Sequence, residues 1–138
     1  MNLIDIKSPA DLKGLSISEL TDLTAQARQA LMTKVSEHGG HFGPPMGVAE
    51  MIMALHYVFN SPLDKIVYDV SHQSYVHKMV TGRALAFLDH DHYDDVTGYT
   101  DPTESEHDFF NIGHTSTSIS LASGLATARN LKGDSENI

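Results

Sequence analysis

Nine histidines and no cysteine leave imidazole as the side chain best suited to proton transfer near neutral pH in this chain. Three of them stand where the backbone is constrained. His41 lies in GGHFGPPMG, residues 39–47, where glycines permit close main-chain approach and Pro44-Pro45 stiffens the loop ahead of a helix. A held imidazole suits general acid–base work, although the segment also reads as a plain helix connector with an incidental histidine. His72 lies in DVSHQSYVHK, residues 69–78, just after a β-branched run, and open α/β sheets bind ligands beyond the carboxyl ends of their strands. The alternative there is an ordinary strand-to-helix turn capped by Ser71. His114 lies in IGHTSTSIS, residues 112–120, a glycine and a row of hydroxyls opening a helix. Free amides and the positive end of the helix dipole suit a phosphate or diphosphate; Thr115, Ser116 and Thr117 either add donors to such a site or simply cap the helix.

The other histidines have blander settings. His56 falls inside a helical pattern, and His90, His92 and His107 lie in an acidic loop. His90 and His92 with Asp91 and Asp94 have the ligand types that divalent ions accept, but i, i+2 spacing in a loop is weak evidence for a metal site.

The elements that must position these loops are legible in part. Ser16-Ile17-Ser18-Glu19 has capping-box spacing, and Leu20, Leu23, Ala27, Leu31 and Val35 follow on one stripe up to Gly39-Gly40, predicting a long amphipathic helix. Val48, Ile52, Leu55 and Phe59 predict a second, stopped by Asn60-Ser61-Pro62. Residues 66–70, IVYDV, are β-branched and aromatic with apolar residues on both faces, which predicts a strand buried in a parallel sheet. Residues 75–80 read as a short helix ending at Thr81-Gly82, residues 84–88 as another helical fragment, and 89–111 as a long loop. A last helix starts near Thr115 or Ser116, runs to about Leu131 and ends at Gly133; its small residues Ser118, Ala122, Gly124, Ala126 and Ala128 predict close packing against a neighbour. One buried strand leaves its backbone unpaired, so the expected class is α/β with a parallel sheet that is incomplete within these residues.

Composition excludes several classes. With 41% hydrophobic and 20% charged residues the chain has the composition of one globular domain. Nine basic against eighteen acidic side chains give a net charge of −9, which disfavours nucleic-acid partners. The longest apolar run, residues 51–59, is half of a membrane span. No secretion signal is visible and no disulfide can form, so the expected compartment is the cytoplasm.

Taken together the three histidine segments resemble the 1-deoxy-D-xylulose-5-phosphate synthase family, thiamine-diphosphate enzymes of the transketolase superfamily. The resemblance starts at LIDIKSPADLKGLS and continues through GGHFGPPMGVAE, ALHYVFNSPLDKIVYDVSHQSYVHKMVTGR and ESEHDFFNIGHTSTSIS to GLATARNLKG. It implies that His41 lies beside the reactive thiazolium and takes part in proton transfer or substrate contact, and that His72 faces the cofactor. Gly113, His114 and Thr115 match the family's Gly-His-Ser segment, which contacts thiamine diphosphate. Residues 1–138 would then be the N-terminal portion of the diphosphate-binding domain, ending before the Gly-Asp-Gly motif, so that no magnesium ligand is expected among them. The implied reaction joins pyruvate to glyceraldehyde 3-phosphate with loss of carbon dioxide, in a homodimer that needs thiamine diphosphate and Mg2+ and serves isoprenoid, thiamine and pyridoxal biosynthesis. Ser71 stands where the family has Gly in Gly-His-Gln, and Pro44-Pro45-Met46 is closer to transketolase. Two alternatives therefore remain: a transketolase-like enzyme with another donor, and a non-catalytic stand-alone remnant.

Overall fold

A computed structural model describes residues 1–138. Helix α1 spans Ile17–His38. Its start is the expected capping box: Glu19 N–H donates to Ser16 Oγ at 3.3 Å and Ser16 N–H to the Glu19 carboxylate at 2.8 Å. Helix α2 is the single turn Gly43–Gly47, and α3 spans Ala49–Val58. Helix α4 is Tyr75–Lys78, followed by a wide turn Met79–Arg83 that kinks at Thr81 and Gly82 as anticipated. Helix α5 is Leu85–Leu88 and α6 is Ser118–Lys132, closed by a left-handed Gly133.

The core lies between α1, α3, α4 and α5. Leu23, Ala27 and Leu31 of α1 and Ile52 of α3 pack with Val76, Met79 and Phe87, and the N-terminal turns lay Leu3, Ile6 and Leu12 over one end. The α1 stripe holds one polar surprise. Lys34 is buried, its ammonium donating to the carbonyls of Ala86 and Tyr93 at 2.8 and 2.7 Å over the Phe87 ring; it ties α1 to α5, and burial pushes its pKa down to about 8.

The expected α/β class is wrong for this chain: its regular elements are all helices and turns. Residues 66–68 run without regular structure and the backbone bends at Asp69 and Val70. A strand is defined by its neighbours. Just before the segment, Lys65 N–H donates to the Asn137 carbonyl at 2.9 Å, and Ile66, Val67 and Tyr68 make no backbone hydrogen bond. The side-chain pattern of a buried strand is present without a second extended run to pair with. Within these residues the small-residue face of α6 is uncovered: α6 buries no residue and leaves Ile119 and Leu131 75% and 85% exposed.

Under α4 lies a fully buried polar chain. His56 Nε2 is 2.8 Å from His77 Nδ1, and His77 Nε2 is 2.7 Å from Asp108 Oδ1. Arg83 clamps both oxygens of Asp108 at 2.8 and 2.9 Å. Burial alone would raise the Asp108 pKa, but hydrogen bonds from His77 and Arg83 outweigh it and hold the carboxyl well below its ordinary range. Because Arg83 already balances that charge, burial keeps His77 neutral, its pKa lowered, and it pushes His56 down to about 2. These charge states order the protons: His77 donates from Nε2 to Asp108 and accepts at Nδ1 from His56 Nε2. His56 Nδ1 is then a bare acceptor, and it has no partner.

Both histidines bind fewer protons folded than unfolded, so their contribution to stability is complete above pH ~6.5 and is lost as pH falls below it, on the order of 1 kcal/mol per pH unit for each. Urea midpoints measured between pH 7.5 and 4.5 should fall steadily below pH ~6.5, and His56→Gln should flatten that slope.

Candidate functional site

Three loops distant in sequence meet at one end of the helices. The loop after α1 carries His41, whose ring centroid lies 5.3 Å from that of His72, edge to face, and 6.0 Å from Tyr75. Tyr99, from the long loop before α6, lies 5.1 Å from His41 on another side. The approach is set by backbone. Gly40, at φ +123°, would place a Cβ 2.8 Å from the Tyr75 hydroxyl oxygen, which also accepts the His41 N–H at 3.2 Å. His41 Nδ1 is buried with no hydrogen-bond partner. A cavity of about 270 Å³ opens beside it, lined by Gly40, His41, Tyr75, Thr97 and Gly98 among others.

Gly113 reaches this cluster through Tyr99, whose ring would lie 3.8 Å from a Cβ at that glycine. His114 and Thr115 are exposed, and the His114 imidazole turns onto the Thr115 carbonyl at 2.9 Å. The backbone N–H groups of Gly113, His114 and Thr115 have no partner within the chain; Gly113 and His114, with Asn111, Ser116 and Thr117, line a second cavity of about 360 Å³. The start of α6 differs from expectation. Its N-cap, Thr117, makes no side-chain cap bond; instead the Asp69 carboxylate accepts Ser116 N–H at 3.0 Å and Ser118 N–H at 3.2 Å. Those backbone bonds hold Asp69 below the ordinary carboxylate range. An anion reaching this helix end therefore meets three free amides of the preceding loop and a carboxylate already seated on the first turn.

Ser71 joins the loops. It sits in the left-handed region at φ +68°, next to Val70 at φ +59°, a conformation that costs a non-glycine residue about 1 kcal/mol or more. Its hydroxyl is wholly buried, donates to the Ile112 carbonyl at 2.7 Å and accepts Thr100 N–H at 3.0 Å. One oxygen thus links the loops carrying His72, Tyr99 and Gly113.

Comparison with known proteins bears on this arrangement. The sequence profile of 1-deoxy-D-xylulose-5-phosphate synthase matches residues 3–138. The synthase of Caldanaerobacter subterraneus subsp. tengcongensis is 52% identical over 136 residues, 99% of this chain. Those of Shouchella clausii and a Geobacillus species are 51% and 49% identical over all 138 residues. The chain belongs to the 1-deoxy-D-xylulose-5-phosphate synthase family. It spans 22% of the length of each of these three synthases.

Of the synthase residues expected from sequence, the structure brings His41 and His72 into contact, joins Gly113 to them through Tyr99, and leaves the side chains of His114 and Thr115 facing outward. The weak metal set does not converge: His92 pairs with Asp95 at 2.7 Å, Asp94 with His38 at 2.9 Å, and His90 lies 3.8 Å from Asp91. Sequence reasoning missed Asp69, Tyr75, Gly98 and Tyr99. From the sequence Ser71 reads as a helix cap.

Strain and bonding at Ser71 can be separated. Ser71→Ala keeps the left-handed backbone and loses both hydrogen bonds, leaving Thr100 N–H and the Ile112 carbonyl unpaired, at an expected cost of about 1–3 kcal/mol. Ser71→Gly loses the same bonds but relieves the strain, so its urea midpoint should lie between those of Ser71→Ala and the parent.

Proposed function

We propose that residues 1–138 are the N-terminal portion of the diphosphate-binding domain of a 1-deoxy-D-xylulose-5-phosphate synthase. The full-length protein condenses pyruvate with glyceraldehyde 3-phosphate, releases carbon dioxide, works as a homodimer and requires thiamine diphosphate and Mg2+. One observation carries the reading: the segments that match the family, separate in sequence, converge so that the buried, unpartnered Nδ1 of His41 stands beside His72 and within one ring of the Gly113 loop.

Thiamine diphosphate, when bound, supplies the electron sink that decarboxylation of pyruvate needs. The residues here supply binding and proton control. The free amides of Gly113, His114 and Thr115 would hold diphosphate oxygens. Asp69, its carboxyl held below the ordinary range by the first turn of α6, adds negative charge at that end, which a divalent cation bound with the diphosphate would offset. No cluster of three or more acidic or histidine side chains within these residues is suited to hold it. His72, 5.3 Å from His41 between centroids, would face the cofactor. His41 would hold or give up a proton at the reacting atoms; its half-buried imidazole is framed by His72, Tyr75 and Tyr99 and lines the cavity beside it.

In the full-length protein His41→Ala should lower turnover by about 10²–10⁴-fold with a smaller change in substrate binding. His72→Ala and His114→Ala should each weaken thiamine diphosphate binding by calorimetric titration; unchanged affinity for both would reduce the two histidines to structural turns. Product analysis with pyruvate and glyceraldehyde 3-phosphate separates this reading from a transketolase-like enzyme, which would need a ketose donor.

A further inference from the structure

We infer that Tyr99 is the positioning residue for His41, and so sets the orientation of the imidazole on which the proposed proton transfer depends. This rests on the functional reading above, but its structural basis is separate. The His41 ring makes no side-chain hydrogen bond, and Nδ1 is buried and unpartnered. Its orientation is therefore fixed by packing alone, between His72 at 5.3 Å, Tyr75 at 6.0 Å and Tyr99 at 5.1 Å. Of the three, Tyr99 is the nearest, and it packs edge to face at 69°.

The loop that carries Tyr99 is shaped to this purpose. At Gly98 any side chain would put a Cβ 3.2 Å from His41 Cε1, 3.4 Å from Nδ1 and 3.5 Å from the Tyr75 hydroxyl, so the main chain itself forms the wall against the imidazole. The backbone on both sides of the ring is tied down. Thr97 Oγ1 donates to the Tyr99 carbonyl at 2.8 Å, Thr97 N–H to Glu104 at 2.7 Å, and Thr100 N–H to the buried Ser71 hydroxyl at 3.0 Å. Tyr99 also reaches the Gly113 loop, so one ring spans the interval between the proton-transfer residue and the anion-binding amides. Its own hydroxyl has no partner in the chain and the residue is 38% exposed, so its ring, more than its hydroxyl, performs the role.

The test uses the full-length protein with Tyr99→Ala, Tyr99→Phe and, as a second route should Tyr99→Ala fail to fold, Gly98→Ala. Carbethoxylation by diethyl pyrocarbonate, read at each histidine by peptide mass spectrometry without cofactor, should become severalfold faster at His41 in Tyr99→Ala while the exposed His114 keeps its rate. In the loaded enzyme the same variant should lose about 10–100-fold in kcat with KM for pyruvate little changed, because misplaced reacting groups cost turnover before binding. Tyr99→Phe should restore both. Gly98→Ala should lower kcat and alter the His41 rate by displacing the ring. The inference is overturned if Tyr99→Ala leaves the His41 rate and kcat at parental values, or if Tyr99→Phe loses as much as Tyr99→Ala, which would assign the role to the hydroxyl. A parent protein without synthase activity would sink the functional reading, while the labelling rates would still decide the role of Tyr99.

Discussion

The site depends on a buried, charge-balanced set of side chains. Lys78 and Arg83 reach from α4 and the turn after it; Glu104 and Asp108 reach back from the long loop before α6. Lys78 lies 2.6 Å from Glu104, and Arg83 bonds to Glu104 at 2.9 Å as well as to Asp108. Two positive and two negative groups cancel in a region where Lys78 is wholly buried and Asp108 nearly so. Removing one partner of such a set leaves an uncompensated charge in low dielectric, typically a loss of 3–5 kcal/mol. The same carboxylates carry the loop backbone: Glu104 accepts Thr97 N–H, and Asp108 accepts Asp101 N–H at 2.9 Å. The turn bearing Gly98 and Tyr99 is thus hung between two acids whose positions are set by Lys78 of α4 and Arg83 of the turn after it.

This arrangement explains how a stretch without helical or strand periodicity is ordered. Residues 96–112 contribute little to the core, with Thr100, His107, Asp108 and Ile112 as their buried members. They are held instead by directional polar bonds to rigid helices. Such bonds define geometry more narrowly than apolar contact does, and a loop that must press a glycine against an imidazole needs that narrowness.

Electrostatics at the other end of the site run the opposite way. The chain carries −9 overall, and Asp69 places a further carboxylate on the first turn of α6. The three free amides of the Gly113 loop favour an anion, and Asp69 opposes it.

What the sequence by itself determined were the features whose cause is local. The capping box at Ser16 and Glu19, the apolar stripe of α1, the break at Thr81-Gly82 and the left-handed stop at Gly133 each follow from a few neighbouring residues, and each formed; α3 formed as a helix, but its buried face is Ala49, Ile52, Met53 and His56, which shares only Ile52 with the expected stripe. Family membership and the candidacy of His41, His72 and Gly113 were legible too, because motif order survives in a linear string. The buried strand was misread because a strand's stability lies in hydrogen bonds to other segments, and residues 66–70 show the side-chain pattern without the ladder. The α6 cap was misread for the same reason: hydroxyls adjacent in sequence were available, but a carboxylate 47 residues away took the amides. Tertiary structure alone decided that Gly98 and Tyr99 stand against His41, and that a serine in the left-handed region at position 71 ties three loops with one oxygen. Those contacts join residues tens of positions apart through backbone direction and buried charge, which local composition does not encode.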